Sequence, residues 1–353
     1  MKSKVLVVYR GDLSGKALQS GPNDFLYGWN QSEDKKNYFD YILAPRTKRS
    51  GIIRWLTYLI ELPFSLITNT GFPIDIFLMN REKINMSDVI FCVNDAIGLG
   101  ILFWKKFGLI KGKVIFIAQS LSERQRLFKN SWIFGLVKSL VHCADHILTL
   151  STPAKVTLEQ EYGISPSMCS VFYFGVDTEF WKPALKPKPD KYLLTVGNDP
   201  NRDYQTLIES LGTDYKLIMV TKHKVKVLAS QKVEVLANIT DLELRKLYQG
   251  ATAVVVPSKR VETESSGLSV SLQAMACGTP VIVSYSRALE EYFSDERSGC
   301  LYYKPEDKVS LRSAIIKLMN DEFFRKKLSG FALVNSRKYT SKDMAIQLNR
   351  IIA

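Results

Sequence analysis

Short apolar, β-branched runs alternate with helix-length amphipathic stretches along this chain, and the pattern starts twice. In the first half, residues 5–9, 89–93, 114–118 and 146–150 read as buried strands, with helix candidates at 98–107 and 132–143. Strands that alternate with helices form a parallel sheet covered on both faces. Residues 175–190 break the rhythm, because Pro183, Pro187 and Pro189 stand there without periodicity, as in a linker. The alternation then resumes with strands at 192–196, 216–221, 233–235, 253–256 and 281–283. Helices are expected at 202–211, 241–249, 268–277, 308–319 and 341–352.

Two α/β halves of this kind, each Rossmann-like, predict an N-terminal domain at 1–174, a linker at 175–190, a C-terminal domain at 191–336 and a helix at 337–353 with the option of packing back on the first domain. A length of 353 residues suits two cores rather than one. Ligands of such sheets bind beyond the carboxyl ends of the strands, so the expected architecture has the two domains facing each other across a cleft that holds the site. The balance of 46% apolar and 24% charged residues is that of a globular protein. A net charge of +13 favours phosphorylated or polyanionic partners without choosing among nucleotides, nucleic acid and anionic membranes. No basic-aromatic motif supports nucleic acid, which is not expected as a partner.

Cys92, Cys143, Cys169, Cys277 and Cys300 are odd in number and widely spaced, so neither a disulfide framework nor a metal site is expected. The N-terminal run at 5–9 is too short for a signal peptide and reads as a first strand, which points to a cytoplasmic location. Residues 51–79 are unusually apolar, and Arg46, Lys48, Arg49 and Arg54 flank or enter the run. Arg54, Glu61 and Pro63 argue against a membrane-spanning helix. Two readings stay open: a core helix, or an interfacial helix that gives peripheral membrane contact through residues 46–67.

The window 254–307 carries the chemistry. It reads as a strand, a polar loop, a helix, Gly278-Thr279-Pro280 and another strand. Ser265, Ser266 and Gly267 stand just ahead of the helix, with serine as a good cap and glycine allowing close backbone approach. A helix start offers free N–H groups and a positive dipole end, which suits a diphosphate. The loop 10–15, with Gly11, Ser14 and Gly15, follows the first strand and is either a donor-facing glycine loop or an ordinary turn.

Pro257-Ser258, Glu264, Gly267-Leu268 and the stretch AMACGTPVI at 274–282 resemble the donor-site signature of glycosyltransferase family 4, retaining enzymes of GT-B fold. The run YLLTVGNDPNRDYQTL at 192–207 is similar to that family's opening strand and donor loop, and the likeness extends from about residue 141 to the C-terminus. The family places two glutamates separated by seven residues, the second directly before Ala-Met; Gln273 stands there in this chain, and Ser265 stands eight positions earlier. The resemblance implies Glu264 toward the donor sugar, with Glu262 as the rival, and Gln273 toward the nucleotide ribose. It implies Arg202 against the diphosphate. Asn198 stands where a first basic residue is usual after Gly197, so Lys222, Lys224 or Lys259 would substitute. Leu268 opens the helix, and Glu290 or Glu291 would support the donor loop. His142, His146 and His223 receive no catalytic role.

These implications amount to a metal-independent, hexosyltransferase-like enzyme without cofactor, taking a nucleotide-diphosphate sugar as donor and a glycan or lipid-linked acceptor, as in cell-surface polysaccharide synthesis. A non-catalytic nucleotide-sugar-binding partner on a degenerate scaffold, and a nucleotide-sugar epimerase, are the alternatives.

Overall fold

The computed structural model describes residues 3–10, 21–32, 36–44, 52–185 and 191–353. They divide into two compact units. One contains the first strand, Trp29–Tyr173 and Ala345–Ala353; the other contains Gly21–Gly28 and Phe174–Met344.

The first unit is built on six parallel strands: β1 (Ser3–Arg10), β2 (Asn37–Ala44), β3 (Val89–Cys92), β4 (Lys113–Ala118), β5 (His146–Thr149) and β6 (Cys169–Val171). Their spatial order is β2-β1-β3-β4-β5-β6. β1 pairs on one side with β2, from Ser3 opposite Asn37, and on the other with β3, from Val5 opposite Val89. Its run Val5-Leu6-Val7-Val8 is fully buried, as a strand covered on both faces requires. The helix Asp95–Lys106 crosses from β3 to β4; Asn94 caps it by accepting from Ile97 N at 3.0 Å, and Lys105 and Lys106 lie at its negative dipole end. β2 and β6 are absent from the sequence expectation. β2 is an edge strand whose side chains are mostly half-exposed, so its apolar signal is diluted. The C-terminal residues join this unit through Gln347, which accepts from Tyr173 N at 2.8 Å and donates to Tyr173 O.

The apolar segment at 51–79 does not form one core helix. A helix runs over Ile52–Thr68 with Pro63 inside it, ends at Asn69 with a positive φ of 51°, and is followed by the short helix Asp75–Met79. Among its residues from Trp55 onward only Thr57, Phe64 and Thr68 are buried.

The second unit has β7 (Tyr192–Val196), β8 (Lys216–Val220), β9 (Val233–Leu236), β10 (Ala253–Val256), β11 (Val281–Ser284) and β12 (Cys300–Tyr303), in the order β12-β11-β10-β7-β8-β9. All pairs are parallel. The chain builds outward from β7 to β9, then returns to place β10 on the other side of β7. The carboxyl ends of β7 and β10 therefore flank the point where strand order reverses, where ligands of open α/β sheets bind. Leu193, Met219, Val255 and Ile282 form the core with Leu207 and Leu211 of the helix Tyr204–Leu211 and Ile315 of the helix Lys308–Asn320.

The linker expected at 175–190 is largely structured. Val176 forms a parallel bridge with Thr340, and Trp181 is 1% exposed; residues 186–190 lie outside those described. Gly21–Gly28, which the sequence groups with the first half, packs within the second unit through Asp24.

Candidate functional site

The loops that leave β7 and β10 join at the switch point. Arg202 and Ser258 form an antiparallel bridge; Lys259 N donates to Asn201 O at 2.8 Å, and Asp203 N donates to Pro257 O at 3.2 Å. Asp199 organises the β7 loop by accepting from Asn201 N on its side chain and from Arg202 N on its carbonyl. Asn198 accepts from Lys222 N at 2.6 Å, and Tyr204 donates its hydroxyl to Gly197 O at 2.6 Å, so both ends of the loop are pinned.

Arg202 is the centre of this arrangement. Its side chain is 8% exposed, and one terminal nitrogen donates to Ser258 Oγ at 3.0 Å and Ser266 Oγ at 3.4 Å. Its Nε is buried without a partner. Two glycines make room for it: a Cβ on Gly197 would fall 2.5 Å from Nε, and one on Gly267 would fall 3.0 Å from a terminal nitrogen. Among the described residues no carboxylate forms an ion pair with this guanidinium. A buried charge is costly unless paired, so the geometry leaves a cation in want of an anion. The sequence places Arg202 inside a helix at 202–211. The helix instead begins at Tyr204, because Asp203 caps it by accepting from Thr206 N at 3.1 Å, and Arg202 stays in the loop.

The helix Leu268–Ala276 starts beside Arg202. Its capping residue is Gly267, at φ 86°, and no side chain caps it, contrary to the role expected of the serines. Ser266 instead donates to Asp199 Oδ2 at 2.7 Å, and Ser265 Oγ is buried without a partner. Gly267 is required here, since a Cβ would sit 2.2 Å from Val256 Cγ1. Leu268 is 3% exposed and anchors the first turn in the core.

Glu264 is half-buried and accepts from Asn201 Nδ2 at 3.3 Å, which connects it to the Arg202 loop. Glu262 instead meets Arg260 at 3.4 Å. Lys222, Lys224 and Lys259 are exposed, and the first and last are held near the loop through their backbones. Glu290 accepts from the Tyr285 hydroxyl at 2.7 Å, and Ala288 N donates to Glu262 O in the loop at 3.2 Å. His142 meets Tyr162 O at 2.8 Å, and His146 meets Ser170 Oγ at 2.7 Å, both in the other unit. Burial lowers the His146 pKa, with Lys155 adding to the effect. Gly11, Ser14 and Gly15 lie outside the described residues.

Gln273 is the residue that the resemblance turns toward the nucleotide ribose. It is 6% exposed, donates to Asp24 Oδ2 at 2.7 Å and accepts from the Tyr248 hydroxyl at 3.2 Å, so its amide works inside the unit. Asp24 is fully buried and also accepts from Asp177 N at 2.6 Å and Trp181 Nε1 at 2.7 Å. Burial pushes its pKa up to about 6, against the pull of those three donors. Asp199 and Asp24 received no role in the sequence reading. Only Asp199, beside Pro200, carries a local turn signal.

Residues 177–332 match the family model of glycosyl transferases group 1, a span that holds the whole Arg202 arrangement. The O-antigen chain mannosyltransferase RfbU of Salmonella typhimurium is 30% identical over 194 residues, covering 51% of this chain and 52% of that protein. The chain spans about half the length of the curated relatives it matches. Among solved structures, sucrose-phosphate synthase from Thermosynechococcus elongatus superimposes with a TM-score of 0.73 at 14% identity, covering 99% of this chain and 98% of that one. Anabaena Alr3699/HepE, solved in complex with UDP and glucose, gives 0.72 at 13% identity, covering 99% of each. The fold is therefore GT-B, with two parallel α/β units.

Proposed function

We propose that the second unit holds a nucleoside-diphosphate sugar and that the chain is a retaining glycosyltransferase. The observation that carries this is Arg202: a buried cation with no carboxylate partner, at the switch point, between two glycines and beside an uncapped helix start. A pyrophosphate supplies the missing charge, accepting from the guanidinium and from first-turn N–H groups beyond Leu268 N, which itself donates to Ser265 O at 3.1 Å. The match of 177–332 to group 1 glycosyl transferases supports the same reading, as does the UDP and glucose found in HepE.

In this reading the anomeric C–O bond to the diphosphate breaks, the acceptor hydroxyl bonds to the same face of the sugar and passes its proton to the leaving diphosphate, and charge stabilisation of that diphosphate by Arg202 is the main catalytic term. Glu264, held by Asn201, faces the donor sugar, and Lys222 and Lys259 add positive charge at the rim. Neither a metal nor a cofactor has a role. The acceptor is a glycan or a lipid-linked intermediate, in line with the O-antigen chain that RfbU is named for, and the reaction takes place at the cytoplasmic side. Hexosyl transfer with retention is tested by incubating the protein with nucleotide-sugars and lipid-linked or free glycans. The anomeric configuration of the product is then read by NMR. A new glycosidic bond of retained configuration is expected, and an inverted one would overturn the mechanism.

A second reading is a nucleotide-sugar-binding protein without transferase activity. The engagement of Gln273 with Asp24 favours it, because the position is not free for the nucleotide. Tight donor binding with no product across an acceptor panel would select this reading.

A further inference from the structure

The helix Ile52–Thr68 is anchored by one narrow stripe. Phe64 is 4% exposed and stacks on Phe72 with ring centroids 4.2 Å apart, and Thr68 donates to Phe64 O at 2.8 Å. Around the rest of the helix Trp55, Leu56, Leu59, Ile60, Leu66 and Ile67 are between 40% and 76% exposed. Leu127, at 63%, and Trp132, at 76%, are also exposed, on the neighbouring helices Leu121–Phe128 and Trp132–Val141. So many large apolar side chains exposed on one helix mark a surface that meets something other than water.

We propose that this face docks on an anionic lipid bilayer, with the helix lying in the interface. Three observations select lipid. The exposed face mixes aliphatic side chains with tryptophan, the residue suited to the headgroup boundary. No helix among the described residues is long and apolar enough to cross a membrane, so the helix lies along the surface. Arg46, Lys48, Arg49 and Arg54 crowd the start of the helix in the sequence, against a single acid within it, Glu61. Such a cluster is attracted to anionic headgroups. A second copy on the same face would bring two of these basic clusters together, because a two-fold contact pairs like with like. The inference rests on the first unit alone and is independent of the donor site.

The test is co-sedimentation of the full chain with phosphatidylcholine vesicles, with and without about one third phosphatidylglycerol. Binding is expected to rise with the anionic lipid and fall with salt. The double variant Leu59→Gln/Leu66→Gln is expected to lower partitioning by about tenfold or more, since each side chain contributes buried methylenes to the interface. Both positions are exposed, so thermal melting should match the parent; Trp55→Ser is the second variant if it does not. Equal partitioning of parent and variants overturns the proposal, as does binding indifferent to lipid charge. A parent that is dimeric by light scattering, ignores vesicles and dissociates on the same substitutions overturns it in favour of a second copy.

Discussion

Gln273→Glu is expected to weaken the second unit strongly at alkaline pH and mildly at acid pH. The substitution replaces the amide donor 2.7 Å from Asp24 Oδ2 with a carboxylate, at a fully buried acid. The lost hydrogen bond to a charged group is worth about 1.5–3 kcal/mol, and two buried carboxylates in contact must also share a proton or repel. The expected cost is about 3 kcal/mol near pH 8, which lowers the melting midpoint of a unit this size by about 6–12 °C. In the parent, Asp24 has its pKa raised from 3.8 to about 6, mainly by burial. The folded state thus binds that proton more tightly than the unfolded chain. The stability it contributes is full below the unfolded pKa and is lost as pH rises through about 6. In the variant one proton bridges the two acids near pH 5, so the deficit relative to the parent should shrink to about 1 kcal/mol. Adding Asp24→Asn gives the introduced carboxylate a donor again and should recover part of the loss near pH 8. Calorimetry of the three proteins at both pH values reads all of this. A Gln273→Glu midpoint within about 2 °C of the parent near pH 8 would refute the reasoning, because the buried pair would then contribute nothing.

Two further substitutions separate binding from folding. Arg202→Met removes a buried cation that lacks a carboxylate, while Ser258 and Ser266 keep their mutual contact at 3.3 Å. The melting midpoint of the free protein should hold or rise. Affinity for nucleoside diphosphates should fall by about 10–150-fold, the equivalent of about 1.5–3 kcal/mol. Gly267→Ala forces a Cβ to within 2.2 Å of Val256 Cγ1 at φ 86°, so a loss of about 2 kcal/mol or more in thermal unfolding is expected, together with weaker diphosphate binding.

The parallel two-sheet architecture was legible because β7, β10 and β11 are continuous runs of buried apolar residues between turn signals. β12, with Tyr302 half-buried, and the helix Glu322–Ser336, whose charged residues blur its apolar stripe, gave no such contrast. Arg202 was readable as a candidate from its place after Gly197. Its burial was not, because it depends on Gly197 and Gly267 approaching from loops seventy positions apart in sequence. Ser265 and Ser266 read as caps on local propensity alone; for Ser266 the tertiary bond to Asp199 outcompeted that role. The contact of Gln273 with Asp24 was not readable, because its partner is 249 positions away and no local pattern announces it.

The most direct measurement is a crystal structure of the protein grown with UDP, GDP or ADP, supported by calorimetric titration of each. The account predicts a pyrophosphate with oxygens about 3 Å from the Arg202 guanidinium and from the N–H groups at the start of Leu268–Ala276. It is contradicted if the bound diphosphate lies away from Arg202, or if no nucleoside diphosphate or its sugar conjugate binds at all.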